Sequence, residues 1–218
     1  MILTLIQKEF ILELRRKAVI SGISLYLVSI IFICYLTFSL RQSSINEATW
    51  SALFWLSILF ANVNGIAKSF IGEKKGLLIY YYSIASPQTI ILSKIIYNVV
   101  LSLALALMGY LLFSIFIGNP LQDKWLFMLT LLLSSFGFSA CLSLISAIAS
   151  KTNNSNILMA VLSFPVIIAL LLMAIKITKN ALDGLALADS KDELLNLLAI
   201  NCIMVALAYL LFPYIWRS

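Results

Sequence analysis

Long apolar stretches alternate with short polar connections along this chain of 218 residues. A helix needs about 20 residues to cross a bilayer, and six apolar stretches have about that length: residues 19–40, 48–67, 95–117, 125–149, 156–175 and 194–212. Backbone groups in lipid must be satisfied internally, which leaves helices or closed barrels. The stretches show no alternation with a period of two residues. The pattern therefore predicts an all-α integral membrane protein with six transmembrane helices, formed as one domain over residues 1–218.

The composition agrees with this interpretation. Hydrophobic residues make up 62% of the chain and charged residues 11%, whereas a soluble domain carries about 25% charged residues. No small-residue cleavage pattern follows the first apolar stretch, so we expect that stretch to remain as an anchor. The cysteines, Cys34, Cys141 and Cys202, each lie inside an apolar stretch. We therefore expect small buried side chains there and no disulfide framework.

Residues 1–18 predict an amphipathic helix before the first transmembrane helix. Leu3, Ile6, Phe10 and Leu14 follow one helical stripe. Basic residues lie mostly away from that stripe, which favours a helix in the membrane interface. A charged lead-in to the first transmembrane helix is the alternative.

The distribution of Lys and Arg predicts the orientation of the six helices. With an even number of crossings, both termini lie on one side of the membrane. Ten of the fifteen Lys and Arg residues fall on that side: Lys8, Arg15, Arg16, Lys17, Lys68, Lys74, Lys75, Lys94, Lys151 and Arg217. By the positive-inside rule this side is cytoplasmic. Topology accounts for the excess of basic residues, so we expect no nucleic-acid partner. The same topology predicts that residues 176–193 form an external segment.

Several polar or special residues fall inside the predicted helices. Trp50 and Trp55 stand near the start of the second one, where an aromatic belt is expected. Pro165 predicts a kink in the fifth helix, either a static bend or a gating hinge. Small and hydroxyl residues run through the fourth helix, and they indicate close helix packing or, alternatively, a substrate-lining surface: Ser134, Ser135, Gly137, Ser139, Ala140, Ser143 and Ser146.

The residues that membrane enzymes and carriers use are scarce here. The chain contains no histidine, which removes the commonest general base and metal ligand. The sequence GEKKG at 72–76 lacks the Ser/Thr and the preceding strand of a phosphate-binding loop. No charged residue lies deep in a predicted helix, which argues against an ion-coupled carrier. We expect no catalytic site, no metal site and no cofactor bound by the chain itself.

The segment 68–94, KSFIGEKKGLLIYYYSIASPQTIILSK, has a distinctive order of features. A charged start at 68–76 precedes the apolar and aromatic run 77–82. Ser86 and Pro87 then suit the cap and first position of a helix, which we expect from near Thr89, and Lys94 marks the return to the membrane. The segment is either a helix on the membrane surface or a docking element for a partner.

This order resembles the permease subunits of type-2 ABC exporters, and most closely the CcmB family of haem exporter permeases. The resemblance is carried by Phe70-x-x-Glu73-x-x-Gly76, an apolar run, Ser86-Pro87 and Lys94, and by the stretch 162–168, LSFPVII. It implies a cytoplasmic coupling elbow between helices two and three. The residues it assigns to ATPase coupling are Phe70, Glu73, Lys74, Lys75, Gly76, Leu77, Tyr80, Tyr81, Ser86, Pro87 and Lys94.

The resemblance also implies partners and a location. Two copies of the permease would pair with two copies of a CcmA-like cytoplasmic ATPase, which supplies the ATP site. CcmC- and CcmD-like membrane subunits and a CcmE-like haem chaperone would handle haem. The location would be the bacterial inner membrane. The function implied is permease action in cytochrome c maturation, with ATPase-driven motion transmitted to haem transfer or to release of the haem-loaded chaperone.

Three alternatives remain open at the level of sequence. One is an ABC permease for another hydrophobic cargo, and the second is a membrane scaffold without an ATPase. The third, a membrane enzyme, lacks both histidine and clustered acids inside the membrane.

Overall fold

Seven α-helices and one short 3-10 helix make up the computed structural model, which describes residues 2–15, 17–41, 46–66, 70, 85–151 and 155–217. We number the helices α1 (Ile2–Arg15), α2 (Lys17–Arg41), α3 (Glu47–Ile66), α4 (Pro87–Phe116), α5 (Lys124–Ala149), α6 (Ser155–Leu182) and α7 (Lys191–Arg217), with the 3-10 helix at Leu187–Ser190. No strand occurs among the described residues. Helices α2 to α7 are long and apolar enough to cross a membrane. The predicted all-α, six-helix membrane fold is confirmed.

Helix α5 is the centre of the bundle. Of its residues, 78% are buried, whereas the buried share of the other spanning helices does not exceed half. It packs against α4, α6 and α7. Its small residues explain this position, because small side chains let neighbouring backbones approach closely. A Cβ atom at Gly137 would lie 2.7 Å from Leu170 Cδ2 of α6 and would also clash with Asn201 Oδ1 of α7. The serines of α5 are buried as well, which favours their role in helix packing.

Aromatic side chains fill one end of the bundle, which we call the Gly118 end. The Trp50 ring stacks on Phe54 at 5.4 Å and meets Phe113 edge to face at 5.7 Å. The Trp50 indole donates to the carbonyl of Gly118 at 3.0 Å. The indole of Trp55, also buried, donates to Thr178 Oγ1 at 2.9 Å.

The expectation that Trp50 and Trp55 form an aromatic belt is therefore wrong. Both indoles find polar partners inside the bundle, so neither ring needs the headgroup region to satisfy its N–H. Trp125 at the start of α5, by contrast, is exposed.

The connections at the Gly118 end are tightly held. Asp123 accepts hydrogen bonds from the backbone N–H groups of Trp125 and Leu126 and so caps α5. The N–H groups of Gln122 and Asp123 donate to the carbonyl of Ala181 in α6. Gly184 turns the chain with φ +67°. In the predicted external segment 176–193, three acids around this turn are exposed: Asp183 before it, and Asp189 and Asp192 after it.

Several helix boundaries differ from the sequence-based expectation. Helix α7 runs from Lys191 to Arg217, beyond the expected 194–212 at both ends. Helix α4 begins at Pro87, earlier than Thr89, and runs as one helix into the third span. Ser86 occupies the N-cap position, but its hydroxyl pairs with Thr89 Oγ1 at 2.7 Å instead of a backbone N–H. Helix α6 continues to Leu182, seven residues past the expected end, because hydrogen bonds tie its last turns to the chain before α5.

Pro165 lies within α6, which is a single helix on both sides of it. Its use as a hinge stays a prediction. Most of the predicted coupling elbow, residues 71–84, falls outside the described residues.

Substitution of Gly137 by Val is expected to lower the thermal stability of the protein in detergent, by about 1–3 kcal/mol, the usual range for overpacking. The added side chain would meet Leu170 and Asn201. Gly22→Val in α2 is the matched control, because a Cβ there meets nothing within 4 Å. Equal melting temperatures for the two variants would contradict the central role of α5.

Candidate functional site

A buried lysine lies at the end of the bundle opposite Gly118. Lys94, in the second turn of α4, is only 2% exposed. Its ammonium lies 3.5 Å from Glu9 Oε1 of α1 and 4.7 Å from the centroid of the Phe70 ring. A buried charge needs such partners, because an isolated ammonium in an apolar setting is strongly disfavoured. One side chain thus joins α1, α4 and the connection that follows α3.

Glu9 holds α1 against α4. Its carboxylate also pairs with Lys8 at 2.7 Å, and it is less exposed than Lys8. Next to it, the Phe10 ring meets Tyr97 of α4 edge to face at 5.0 Å. Phe10 of the predicted apolar stripe therefore packs inside the protein, whereas Leu3 remains exposed. The helix predicted at 1–18 is present as α1, and its place in the membrane interface stays a prediction.

Phe70 is anchored on several sides. It is buried, its backbone N–H donates to Ser146 Oγ of α5 at 3.2 Å, and its ring packs against Phe212 of α7 at 5.4 Å. Together with the contact to Lys94, this brings four helices to one point. We call Glu9, Phe70, Lys94, Ser146 and Phe212 the Lys94 junction.

The predicted coupling residues divide into three groups. Ser86 is exposed and Pro87 is partly buried, so both lie near the surface at the start of α4. Phe70 and Lys94 are buried in the Lys94 junction. The remaining ones lie outside the described residues: Glu73, Lys74, Lys75, Gly76, Leu77, Tyr80 and Tyr81.

Lys94 is expected to mark the return of the chain to the membrane and to take part in ATPase coupling, and both stay predictions. In the structure its ammonium is enclosed by Glu9 and Phe70. Its contacts suit positioning of the neighbouring segments.

Sequence reasoning missed Glu9, Ser146 and Phe212 as members of this site. A signal for Glu9 exists, since it is one of two acids in the basic and apolar segment 1–18. No local signal marks Ser146, which is one serine among several on α5.

The described groups of the junction are one ion-pair network, aromatic rings and a hydroxyl. Within the described ranges, no group of three or more acidic, Cys or His residues is placed to hold a metal ion. The junction thus links α1, α4, α5 and α7 through side-chain contacts.

The geometry alone does not identify the protein family of this chain, and a comparison with family models does. The model described as "CcmB protein" matches residues 1–215. The chain belongs to the CcmB family. CcmB proteins are ABC transporter permeases of cytochrome c maturation and haem transport, and they work with a separate ATPase. Comparison with curated proteins and with solved structures finds no match. In this CcmB chain, the Lys94 junction lies beside the connection between the second and third spanning helices.

Substitution Lys94→Met in this CcmB chain is expected to destabilise the protein by about 1–3 kcal/mol. This lies below the range for breaking a fully buried pair, since Glu9 keeps some contact with water and with Lys8. Thermal unfolding in detergent measures the effect.

Two further variants separate the charge from the loss of packing. Lys8→Met, at the more exposed partner, should have little effect. Glu9→Gln added to Lys94→Met should recover part of the stability, because it removes the carboxylate left without Lys94. A double variant no more stable than Lys94→Met alone would contradict the ion-pair account.

Proposed function

We propose that this CcmB chain transmits ATPase-driven motion to haem transfer, or to release of the haem-loaded chaperone, through segment 68–94 and the Lys94 junction. The observation that carries the proposal is the meeting of α1, α4, α5 and α7 around Phe70 and Lys94. Motion applied to the segment between α3 and α4 would reach all four helices at once.

The two ends of the segment differ in a way that suits this role. At one end Phe70 is fixed by three partners: Lys94, Ser146 and Phe212. At the other end Ser86 and Pro87 open α4, a single helix of 30 residues. A helix of that length is about 45 Å long, enough to reach across the bilayer. A displacement of its first turn would therefore be carried to the far side.

The orientation follows from the charges. The Lys94 end carries α1 and the residue-70 connection, and most of the basic residues belong to that side by topology. We place it in the cytoplasm, with both termini, and we place the protein in the bacterial inner membrane. A CcmA-like ATPase would dock there on residues 73–87. The exposed acids of segment 176–193 would face the periplasm.

The composition suggests which tasks fall to the partner subunits. The chain contains no histidine, so haem ligation by His would fall to CcmC-, CcmD- and CcmE-like partners, and ATP would bind to the ATPase. The chain would act as a homodimer with two ATPase subunits. The alternative function, export of another hydrophobic cargo, would use the same coupling to an ATPase. It would not require the haem-handling partners.

Deletion of residues 77–82, or substitution Glu73→Ala with Gly76→Ala, is expected to abolish association with the ATPase while membrane insertion is retained. Each change removes the proposed docking surface and leaves the described helices intact. The measurement is a pull-down of the tagged permease in mild detergent, with partners identified and bound haem read by absorbance. Val161→Ala, on an exposed apolar position of α6, is the control.

The outcomes of the pull-down separate the proposals. Normal recovery of the ATPase with the deletion variant would refute the docking role. An ATPase recovered with the unaltered chain but without haem-containing partners would favour another hydrophobic cargo. No ATPase with the unaltered chain would favour a scaffold.

The orientation has its own test. A cysteine placed at Asp183, with the three native cysteines replaced, should react with a membrane-impermeant thiol reagent added to intact spheroplasts. A cysteine at Lys151, which is exposed in the turn after α5, should react only after lysis. The reverse pattern would overturn the assignment of inside and outside.

A further inference from the structure

A row of polar side chains runs from the Lys94 junction into the bundle. Lys94, Asn98 and Ser102 follow one another at four-residue spacing on α4 and so share one face of the helix. All three are buried. On α5, Ser146 and Ser143 lie opposite, and Asn98 Nδ2 donates to Ser143 Oγ at 2.7 Å. This interface, which we call the polar seam, leads from the end of the bundle toward the middle of the membrane.

The polar seam contains oxygen atoms that the protein does not satisfy. Asn98 Oδ1 and Ser102 Oγ are buried and have no hydrogen-bond partner in the described part of the chain. Asn62 Oδ1 of α3 is in the same condition, although the amide nitrogen of Asn62 donates to the carbonyl of Ile58 at 2.9 Å. Their exposures are 1%, 0% and 0% for Asn98, Ser102 and Asn62.

The register of α3 on α4 places Asn62 about one turn beyond Ser102, toward Gly109. A Cβ atom on Gly65 of α3 would lie 3.7 Å from the side chains of both Leu101 and Leu105 of α4. A Cβ on Gly109, two turns further along α4, would meet Ile58 of α3. The two helices are thus antiparallel, and Asn62, between Ile58 and Gly65, falls within about one turn of Ser102.

We infer that ordered water occupies the polar seam between α3, α4 and α5, bound by Asn62, Asn98 and Ser102. Buried polar atoms in native proteins have partners, from the protein or from ordered water, and a bound water commonly makes about three hydrogen bonds. Two of the three atoms are amide oxygens, which only accept. A water molecule supplies two donors, and it accepts in turn from the Ser102 hydroxyl.

The groups of the seam favour a neutral ligand. The Lys94 ammonium, one turn from Asn98 on the same face, is already paired with Glu9, and the unsatisfied amide oxygens disfavour an anion. A neutral ligand that donates two hydrogen bonds fits, and water from the adjacent aqueous side supplies it.

Asn201 of α7 gives a matched contrast within the same bundle. It is also buried, and its Oδ1 also lacks a hydrogen-bond partner among the described residues. That oxygen, however, lies against the Cα of Gly137, so close that even a Cβ would not fit between them. The Gly137 backbone covers that side of the oxygen, and we expect less water at Asn201 than in the polar seam.

Water-edited solid-state NMR of the unaltered protein in lipid bilayers tests this inference with water itself as the probe. The chain holds two Asn-Val pairs, Asn62-Val63 and Asn98-Val99, and one Asn-Cys pair, Asn201-Cys202. Labelling Asn with ¹³C and either Val or Cys with ¹⁵N therefore selects the seam or its control without any substitution. Magnetisation should pass from water to the side-chain carbonyls of Asn62 and Asn98 several-fold faster than to the side-chain carbonyl of Asn201.

If water transfers magnetisation to the side-chain carbonyls of Asn62 and Asn98 as slowly as to that of Asn201, the inference is wrong. The result is independent of whether the ATPase docks on segment 68–94. A dry seam would leave the docking of the ATPase untouched, and loss of docking would leave a hydrated seam in place.

Discussion

The rest of this fold depends on one constraint, which is that neighbouring helices must approach α5 closely. In lipid, helices gain little from burying apolar side chains against each other, since the acyl chains are equally apolar. Cohesion must come from tight packing and from hydrogen bonds between helices. Helix α5 provides both, because its glycine and serines admit α6 and α7 at short range and its hydroxyls reach α4 and residue 70. Helices α3, α4, α6 and α7 pack on α5, and α1 and α2 pack on α4 in turn.

The two ends of the bundle are held by different kinds of interaction. The Gly118 end is tied by stacked aromatic rings and by indole donors to Gly118 and Thr178. Backbone hydrogen bonds to Ala181 lock its connections. The Lys94 end is centred on an ammonium that meets Glu9 and Phe70. Phe70 in turn contacts Ser146 and Phe212. Aromatic packing and indole donors thus hold one end, and an ion pair that joins several helices holds the other.

The sequence predicted the helices well, because their length and apolarity are local properties. The six spans, Ser86 at the N-cap with Pro87 in the first turn, and the exposed acids near Asp183 all follow from local pattern. Trp50 and Trp55 were misplaced because indole rings satisfy their N–H equally at a headgroup or on a carbonyl inside a bundle. Which one occurs depends on whether Gly118 and Thr178 come within reach, and that is a tertiary fact.

Lys94 shows the same limit at the candidate site. A lysine at the edge of an apolar stretch is normally placed at the membrane surface, and only a carboxylate from a distant helix changes that. Glu9 stands 85 positions earlier in the chain, and a single sequence does not reveal that the two meet. The pairing of Asn98 with Ser143 was equally hidden, because several serines of α5 were possible partners. Tertiary contacts between helices decide the site, whereas local pattern decides the helices.

The polar seam and the Lys94 junction form one continuous feature along α4, and this continuity gives the proposed coupling a physical path. A dry interface of interlocked apolar side chains moves as a block or not at all, since it is packed as densely as a crystal. An interface of hydroxyls, amides and water can exchange one hydrogen-bond partner for another at little net cost. Displacement of the segment at Phe70 would then shift α4 along α5 without opening the aromatic end. The helix would turn a movement at its first turn into a change at the opposite face of the membrane, while the fold around Gly118 stays intact.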